Sequence, residues 1–189
     1  MALKREVFDR IRVLDFWAGS VSDDYGVTRA ARTAGMRVEF VPTCLVPSYG
    51  DCDWSGLVEF TTRQILITRV CAPGAWRTAF ISQTIFNIAF WGLLAAAPFH
   101  TAAAALWTGI AALAGAKAAL RVRAVETAVD EGVLSNRQAS YILFVPFVAL
   151  LYEYNMIRSA LTREMIWRQK HYTLLSPNRT VVHGGAAES

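Results

Sequence analysis

The sequence predicts an α/β segment followed by a mainly α-helical membrane region, and three observations carry that expectation. Of the 189 residues, 54% are hydrophobic and only 18% charged, whereas a soluble domain carries about 25% charged residues. The charge is unevenly placed: residues 1–72 mix charged side chains with short apolar runs, while residues 79–97 contain no charge. Mean hydropathy is +0.30, which with so little charge excludes a disordered chain. Twelve glycines and six prolines are too few for a collagen-like or linker-rich class.

The N-terminal elements follow from spacing. Residues 4–14 place Val7, Ile11 and Leu14 at helical intervals. Asp23 and Asp24 can cap a second helix over residues 25–34, with Val27, Ala30 and Ala31 on its apolar face and Gly35 as its stop. The run Arg37-Val38-Glu39-Phe40-Val41 alternates and is bounded by Pro42, so it reads as a strand. Residues 46–53 are turn-rich. Residues 54–70 read as a helix with Leu57, Phe60, Ile65 and Ile67 as buried positions.

The membrane region begins after Pro73. Residues 79–97 lie between Arg77 and Pro98-Phe99-His100 and approach the ~20 residues that cross a hydrocarbon core. Residues 101–116 are uncharged and alanine-rich, and reach a span's length if Lys117 snorkels. The two runs predict a transmembrane hairpin. Gln83 and Asn87, four apart on one face, are expected to bond between helices. Arg63, Arg69 and Arg77 precede the hairpin and Lys117, Arg121 and Arg123 follow it, which places both flanks in the cytoplasm and the protein in the inner (cytoplasmic) membrane. Residues 141–152 form an apolar run of about a dozen residues, too short for a span. Pro146 interrupts that run and Glu153 ends it, so the segment reads as re-entrant or interfacial. The expected division is thus 1–72 α/β, 73–123 transmembrane hairpin, 124–175 amphipathic or re-entrant, and 176–189 a frayed tail.

Candidate chemistry is sparse. The net charge of +4 follows the membrane flanks and forms no stripe, so no nucleic acid is expected as a partner. Cys44, Cys52 and Cys71 have no CxxC spacing and read as reduced, structural thiols. The first 15 residues lack an apolar h-region, so no signal peptide is expected. Nucleotide-binding and hydrolase motifs are absent. Asp23-Asp24 can be N-terminal caps or can supply a general base for an acceptor hydroxyl. Asp51-Cys52-Asp53 has the D-x-D shape of a metal–diphosphate site, but no hydrophobic strand precedes it, and solvated loop acids describe it better. Arg63 and Gln64 point about 100° apart on a helix, while Arg63 and Arg69, nearly two turns apart, read as sharing a side. These arginines can hold diphosphate oxygens or form a juxtamembrane collar. Trp167 to Tyr172 mixes aromatics and cations in the manner of an interfacial anchor.

Taken in order, these pieces resemble the C-terminal part of a bacterial membrane glycosyltransferase of the ceramide-glucosyltransferase type (family 2 / family 21-like). Residues 1–8 resemble the segment after that family's acceptor-side Gly-Gly turn. Ser22-Asp23-Asp24-Tyr25, with Arg29 and Ala34-Gly35, resembles the acidic motif that contains the catalytic base. Phe40-Val41-Pro42 resembles the strand that follows. Thr62-Arg63-Gln64-Ile65-Leu66-Ile67-Thr68-Arg69 stands where the family has (Q/R)-x-x-R-W, with Leu66 and Ile67 in place of Arg-Trp. Trp167-Arg168 to Tyr172 resembles a Trp-Arg-Gly…Tyr signature, with Gln169 in place of the glycine.

The resemblance implies a fragment of a GT-A-type domain joined to membrane helices, in an inverting glycosyltransferase. Asp24 would be the base and Asp23 the acid beside it, and Arg63, Gln64 and Arg69 would contact the donor diphosphate. The partners implied are a nucleotide sugar (a UDP-sugar), a lipid acceptor and the membrane. A divalent cation, Mg or Mn, is expected for the complete enzyme, but its D-x-D site and the donor-binding half lie outside this chain. Residues 1–189 are therefore expected to be inactive alone. A different class remains open: a non-catalytic, membrane-anchored scaffold subunit that pairs with a separate donor-binding protein.

Overall fold

A computed structural model describes residues 2–46, 50–129, 138–168 and 170–183. The chain forms two compact units. The first comprises Met1–Phe40, Glu59–Arg77 and Met156–Ser189, and the second Val41–Val58 and Thr78–Asn155.

The first unit opens with α1 (Arg5–Arg10), α2 (Val13–Trp17) and α3 (Asp23–Thr33). The spacing predicts one helix over residues 4–14, but the chain breaks at Arg12, whose φ is 53°. The core explains the break. Ile11 and Val13 would point about 200° apart on a continuous helix, yet both are buried with Ala30 and Ala31. A left-handed residue between them turns both onto α3. That helix forms as its sequence predicts: Ser22 Oγ accepts from the Tyr25 N–H at 3.4 Å, and Val27, Ala30 and Ala31 lie against the core.

The expected strand at residues 37–41 is not formed. Val41 is extended, but residues 37–41 pair with no other segment among those described, and Phe40 is 75% exposed. Alternation favours an extended chain, but a strand also needs a partner.

The sheet lies elsewhere, in the segment expected to be membrane-associated and then frayed. Strands β1 (Glu164–Trp167), β2 (Lys170–Ser176) and β3 (Arg179–His183) form an antiparallel sheet in the order β1-β2-β3. They are held down by α4 (Trp54–Cys71): Leu66 and Ile67 of α4 are buried against Met165 and Leu174. Leu57 and Phe60, expected inside, are exposed instead. Among the described residues the fold is thus mostly helical, with one small C-terminal sheet.

The second unit takes its body from α5 (Pro73–Ala96), α6 (Thr101–Val129) and α7 (Gln138–Leu161), all three long and apolar enough to cross a membrane. Residues 141–157, read from the sequence as re-entrant or interfacial, belong to the last of these helices. The α7 helix runs unbroken through Pro146 for 24 residues, about 36 Å. Glu153 ends the apolar run in sequence yet lies inside the helix, where Thr84 Oγ1 and Asn87 Nδ2 of α5 bond its two oxygens at 2.8 and 3.3 Å. Gln83 and Asn87 also donate to the Ala149 carbonyl, at 3.1 and 3.3 Å, the interhelical role expected for them. Residue numbers rise along α5 as they fall along α7, so the two run antiparallel.

Connectivity limits the number of membrane crossings. The first turn of α5 and the last turn of α7 both belong to the first unit, where Trp76 Nε1 donates to Ser159 Oγ at 3.0 Å. Three crossings would separate these ends by a bilayer, so at most two of the three helices cross. Cysteines placed singly at Ser22 and Asn178 are therefore expected to react with a membrane-impermeant maleimide from the same face of sealed vesicles. Labelling from opposite faces would overturn this topology.

Candidate functional site

The acidic pair occupies the start of α3. Asp23 Oδ1 accepts from the Asp24 N–H at 2.9 Å, and the Asp23 carbonyl accepts from Trp17 Nε1 at 3.0 Å. The indole reaches that carbonyl only because Gly26 has no side chain; a Cβ there would lie 2.6 Å from Trp17 Cδ1. Asp23 is thus engaged in local structure. Asp24 is exposed, and its carboxylate has no hydrogen bond or ion pair among the described residues. Both acids sit in the first helical turn, where the backbone dipole favours negative charge.

The loop that leads to this pair is fastened by the β2–β3 turn. The Thr180 N–H donates to the Gly19 carbonyl at 2.9 Å, and Arg29 Nη1 donates to Asn178 Oδ1. Gly19 has φ +71°, and a Cβ would overlap the Asn178 carbonyl oxygen. Replacing Gly19 by Ala is expected to cost at least about 2 kcal/mol, because a left-handed penalty adds to a clash with backbone. A denaturation midpoint equal to wild type would contradict this.

Tyr25 joins the acidic pair to α4. Its hydroxyl donates to Thr68 Oγ1 at 3.1 Å, and Thr68 Oγ1 donates to the Gln64 carbonyl at 2.8 Å. Gln64 itself is exposed. One residue earlier, the Arg63 guanidinium lies 5.5 Å from the ring centroids of both Phe60 and Trp167. Arg168 lies 5.6 Å from the same indole, and Trp167 is 6.1 Å from Tyr172. Neither Arg63 nor Arg168 has a carboxylate within ion-pair distance among the described residues. Two guanidiniums held on one indole keep N–H edges free for an anion.

Arg69 belongs to a different place. Six residues are 1.67 turns, so Arg63 and Arg69 point about 120° apart and do not share a side. Arg69 Nη1 donates to the Ser159 carbonyl and, at 3.0 Å, to the Thr162 carbonyl, and its guanidinium lies 5.7 Å from the Trp76 ring. It caps the end of α7, where a helix leaves carbonyls unanswered.

In the D-x-D-shaped run one carboxylate oxygen is engaged locally. Asp53 Oδ1 accepts from the Gly56 N–H at 2.7 Å, an N-cap for α4. Among the described residues no three His, Cys, Asp or Glu side chains gather to hold an ion. Burial pushes the Cys71 thiol up, an effect that the nearby Arg29 guanidinium partly offsets.

Arg168 is not among the candidates that the sequence offers, yet it shares the Trp167 indole with Arg63. The Trp-Arg…Tyr spacing was visible, but only strand pairing turns it toward α4. Trp167 faces Lys170 across the β1–β2 hairpin, a two-residue connection that favours positive φ, and Arg168 has φ 49°. Gln169 lies outside the described residues.

Residues 1–180 match the family model described as glycosyl transferase family 21. No curated protein and no solved structure matches the chain significantly.

Proposed function

Because the chain belongs to glycosyl transferase family 21, we propose that it is the acceptor-side, C-terminal portion of an integral-membrane glycosyltransferase. It carries helices able to span a membrane, and its family implies a nucleotide-sugar donor and an acceptor. The finer reading is transfer of a hexose from a UDP-sugar to a lipid hydroxyl, with inversion, at the cytoplasmic face of the inner membrane. A GT-A-type catalytic domain would be completed by a donor-binding half.

In this reading the Asp24 carboxylate takes the proton of the lipid hydroxyl. The lipid oxygen forms a bond to the anomeric carbon as the bond from that carbon to the diphosphate oxygen breaks. The diphosphate departs with the electron pair, and its new charge is met by Arg63 and Arg168 on Trp167, with Gln64 one residue along. Asp23 orders the first turn through its bond to the Asp24 N–H. Arg69, proposed from the sequence as a diphosphate contact, serves α7 instead. The donor's nucleotide and the divalent cation of the complete enzyme, Mg or Mn, are assigned to no residue of this chain, and residues 1–189 alone are expected to transfer no sugar.

The observation that supports this reading best is the contrast within the acidic pair: the Asp23 carboxylate is engaged, while that of Asp24 is free at an exposed helix start. The test is Asp24→Asn in an enzyme that includes the donor-binding half, assayed by transfer of labelled sugar to lipid. Turnover equal to wild type would sink the assignment.

A further inference from the structure

We infer that the outer face of the C-terminal sheet is a docking surface for anionic phospholipid headgroups. Residues 156–183 carry Arg158, Arg163, Arg168, Lys170 and Arg179 against one acid, Glu164, an excess that equals the net charge of +4 of the whole chain. All five cations are exposed. None has a carboxylate within ion-pair distance among the described residues, although Arg163 spends one N–H on the Leu175 carbonyl, at 2.9 Å.

Strand pairing shows which face is open. One face carries Met165 and Leu174, buried against Leu66 and Ile67 of α4. Side chains alternate along a strand and paired residues share a side. The other face therefore carries Ile166, His171 and His183 in one row across the three strands, with Glu164, Thr173 and Val181 in the next. Ile166, His171, Val181 and His183 are all exposed, and each imidazole carries at least one N–H. Thr173 Oγ1 lies 2.7 Å from His183 Nε2. Lys170 follows the β1–β2 turn and Arg179 the β2–β3 turn, so a cation stands at each end of β2.

Position along the chain selects the partner. The ends of α5 and α7 meet in the first unit, and β1 begins three residues after Leu161, the last residue of α7. Three residues reach about 10 Å at most, close to the ~8 Å over which a charged surface is felt at physiological salt. An anionic leaflet there favours docking about fivefold for each nearby Lys or Arg. Ile166 and Val181 can enter the boundary between headgroups and acyl chains, while the imidazoles donate to phosphate or glycerol oxygens. An acidic protein would match the charge. The membrane, however, is tethered to this face by the chain itself, at an effective concentration that no dissolved partner reaches. The inference rests on the membrane reading of α5 and α7, and its test alters neither Arg63 nor Arg168, which the diphosphate reading employs.

The test places an environment-sensitive NBD fluorophore on Val181→Cys in the full chain, with Cys44, Cys52 and Cys71 replaced by Ser, in nanodiscs without a sugar donor. In equal parts of phosphatidylcholine and phosphatidylglycerol, the emission should move to shorter wavelength and be quenched by a doxyl-labelled lipid. In phosphatidylcholine alone, or at about 1 M salt, where the Debye length falls to ~3 Å, both effects should vanish. Lys170→Gln with Arg179→Gln should lower the docked-to-undocked ratio about 30-fold. The same fluorophore on Thr33→Cys, exposed at the end of α3, should not respond. A Val181 probe that behaves alike in both lipid mixtures, or that responds no more than the Thr33 probe, would overturn the proposal. If the cysteine-free variant does not fold, hydrogen exchange of residues 164–183 in the unlabelled chain decides. Slower exchange with phosphatidylglycerol is expected there, and equal exchange would refute the surface. Because nothing is transferred in this assay, Asp24→Asn should dock like wild type. Failure of the surface and failure of the catalytic assignment are thus separable.

Discussion

Asp24→Asn, in an enzyme that carries both halves, is expected to lower kcat by about 10²- to 10⁴-fold, the span usual for loss of a general base. KM for the donor should change little, since Asp24 makes no donor contact in the proposed geometry. The amide keeps the size and polarity of the side chain but cannot take a proton, so the fold is preserved while the step fails. Asp23→Asn is the internal control. Asp23 contributes an oxygen that accepts the Asp24 N–H at 2.9 Å, and an asparagine oxygen can accept the same bond. Its effect on kcat should therefore be far smaller. Equal losses from the two substitutions would mean that the pair acts as a helix start and nothing more.

The second large effect separates the two arginines that the sequence grouped together. Arg69→Met should destabilise the first unit by about 2–4 kcal/mol, because the Ser159 and Thr162 carbonyls lose a charged donor in a partly buried place. Arg63→Met should leave thermal melting close to wild type. It lies between two rings with no carbonyl or carboxylate depending on it, and methionine retains contact with Phe60 and Trp167. Its loss should appear instead in kcat/KM, by about 10²-fold, the cost of removing one donor to a developing anion. Melting curves and transfer rates measured on the same two variants decide the matter. If Arg63→Met melts low and transfers normally, the anion role falls.

Much of the chain was legible without coordinates because its signals are local. The caps of α3, its apolar face of Val27, Ala30 and Ala31, the extent of α4 and the apolar runs of α5 and α6 depend on residues within a few positions of one another. The resemblance that led to the family also rests on short motifs in order, and the match over residues 1–180 agrees with it. The misreadings share a cause. Residues 37–41 alternate like a strand but find no partner, while β2 and β3 pair at the end of the chain, where fraying was expected. A strand exists only with its neighbour, and pairing is not written in either run alone.

The membrane character, the acidic helix start and the family are all carried by composition and short spacing. Which groups are already engaged depends instead on packing between distant segments. Arg69 is spent on carbonyls 90 and 93 residues away, Glu153 is held by donors from α5, and Arg168 joins Arg63 through a hairpin. A polar side chain is available for chemistry only when no other group holds it, and the groups that hold it are chosen by chain segments far apart in sequence.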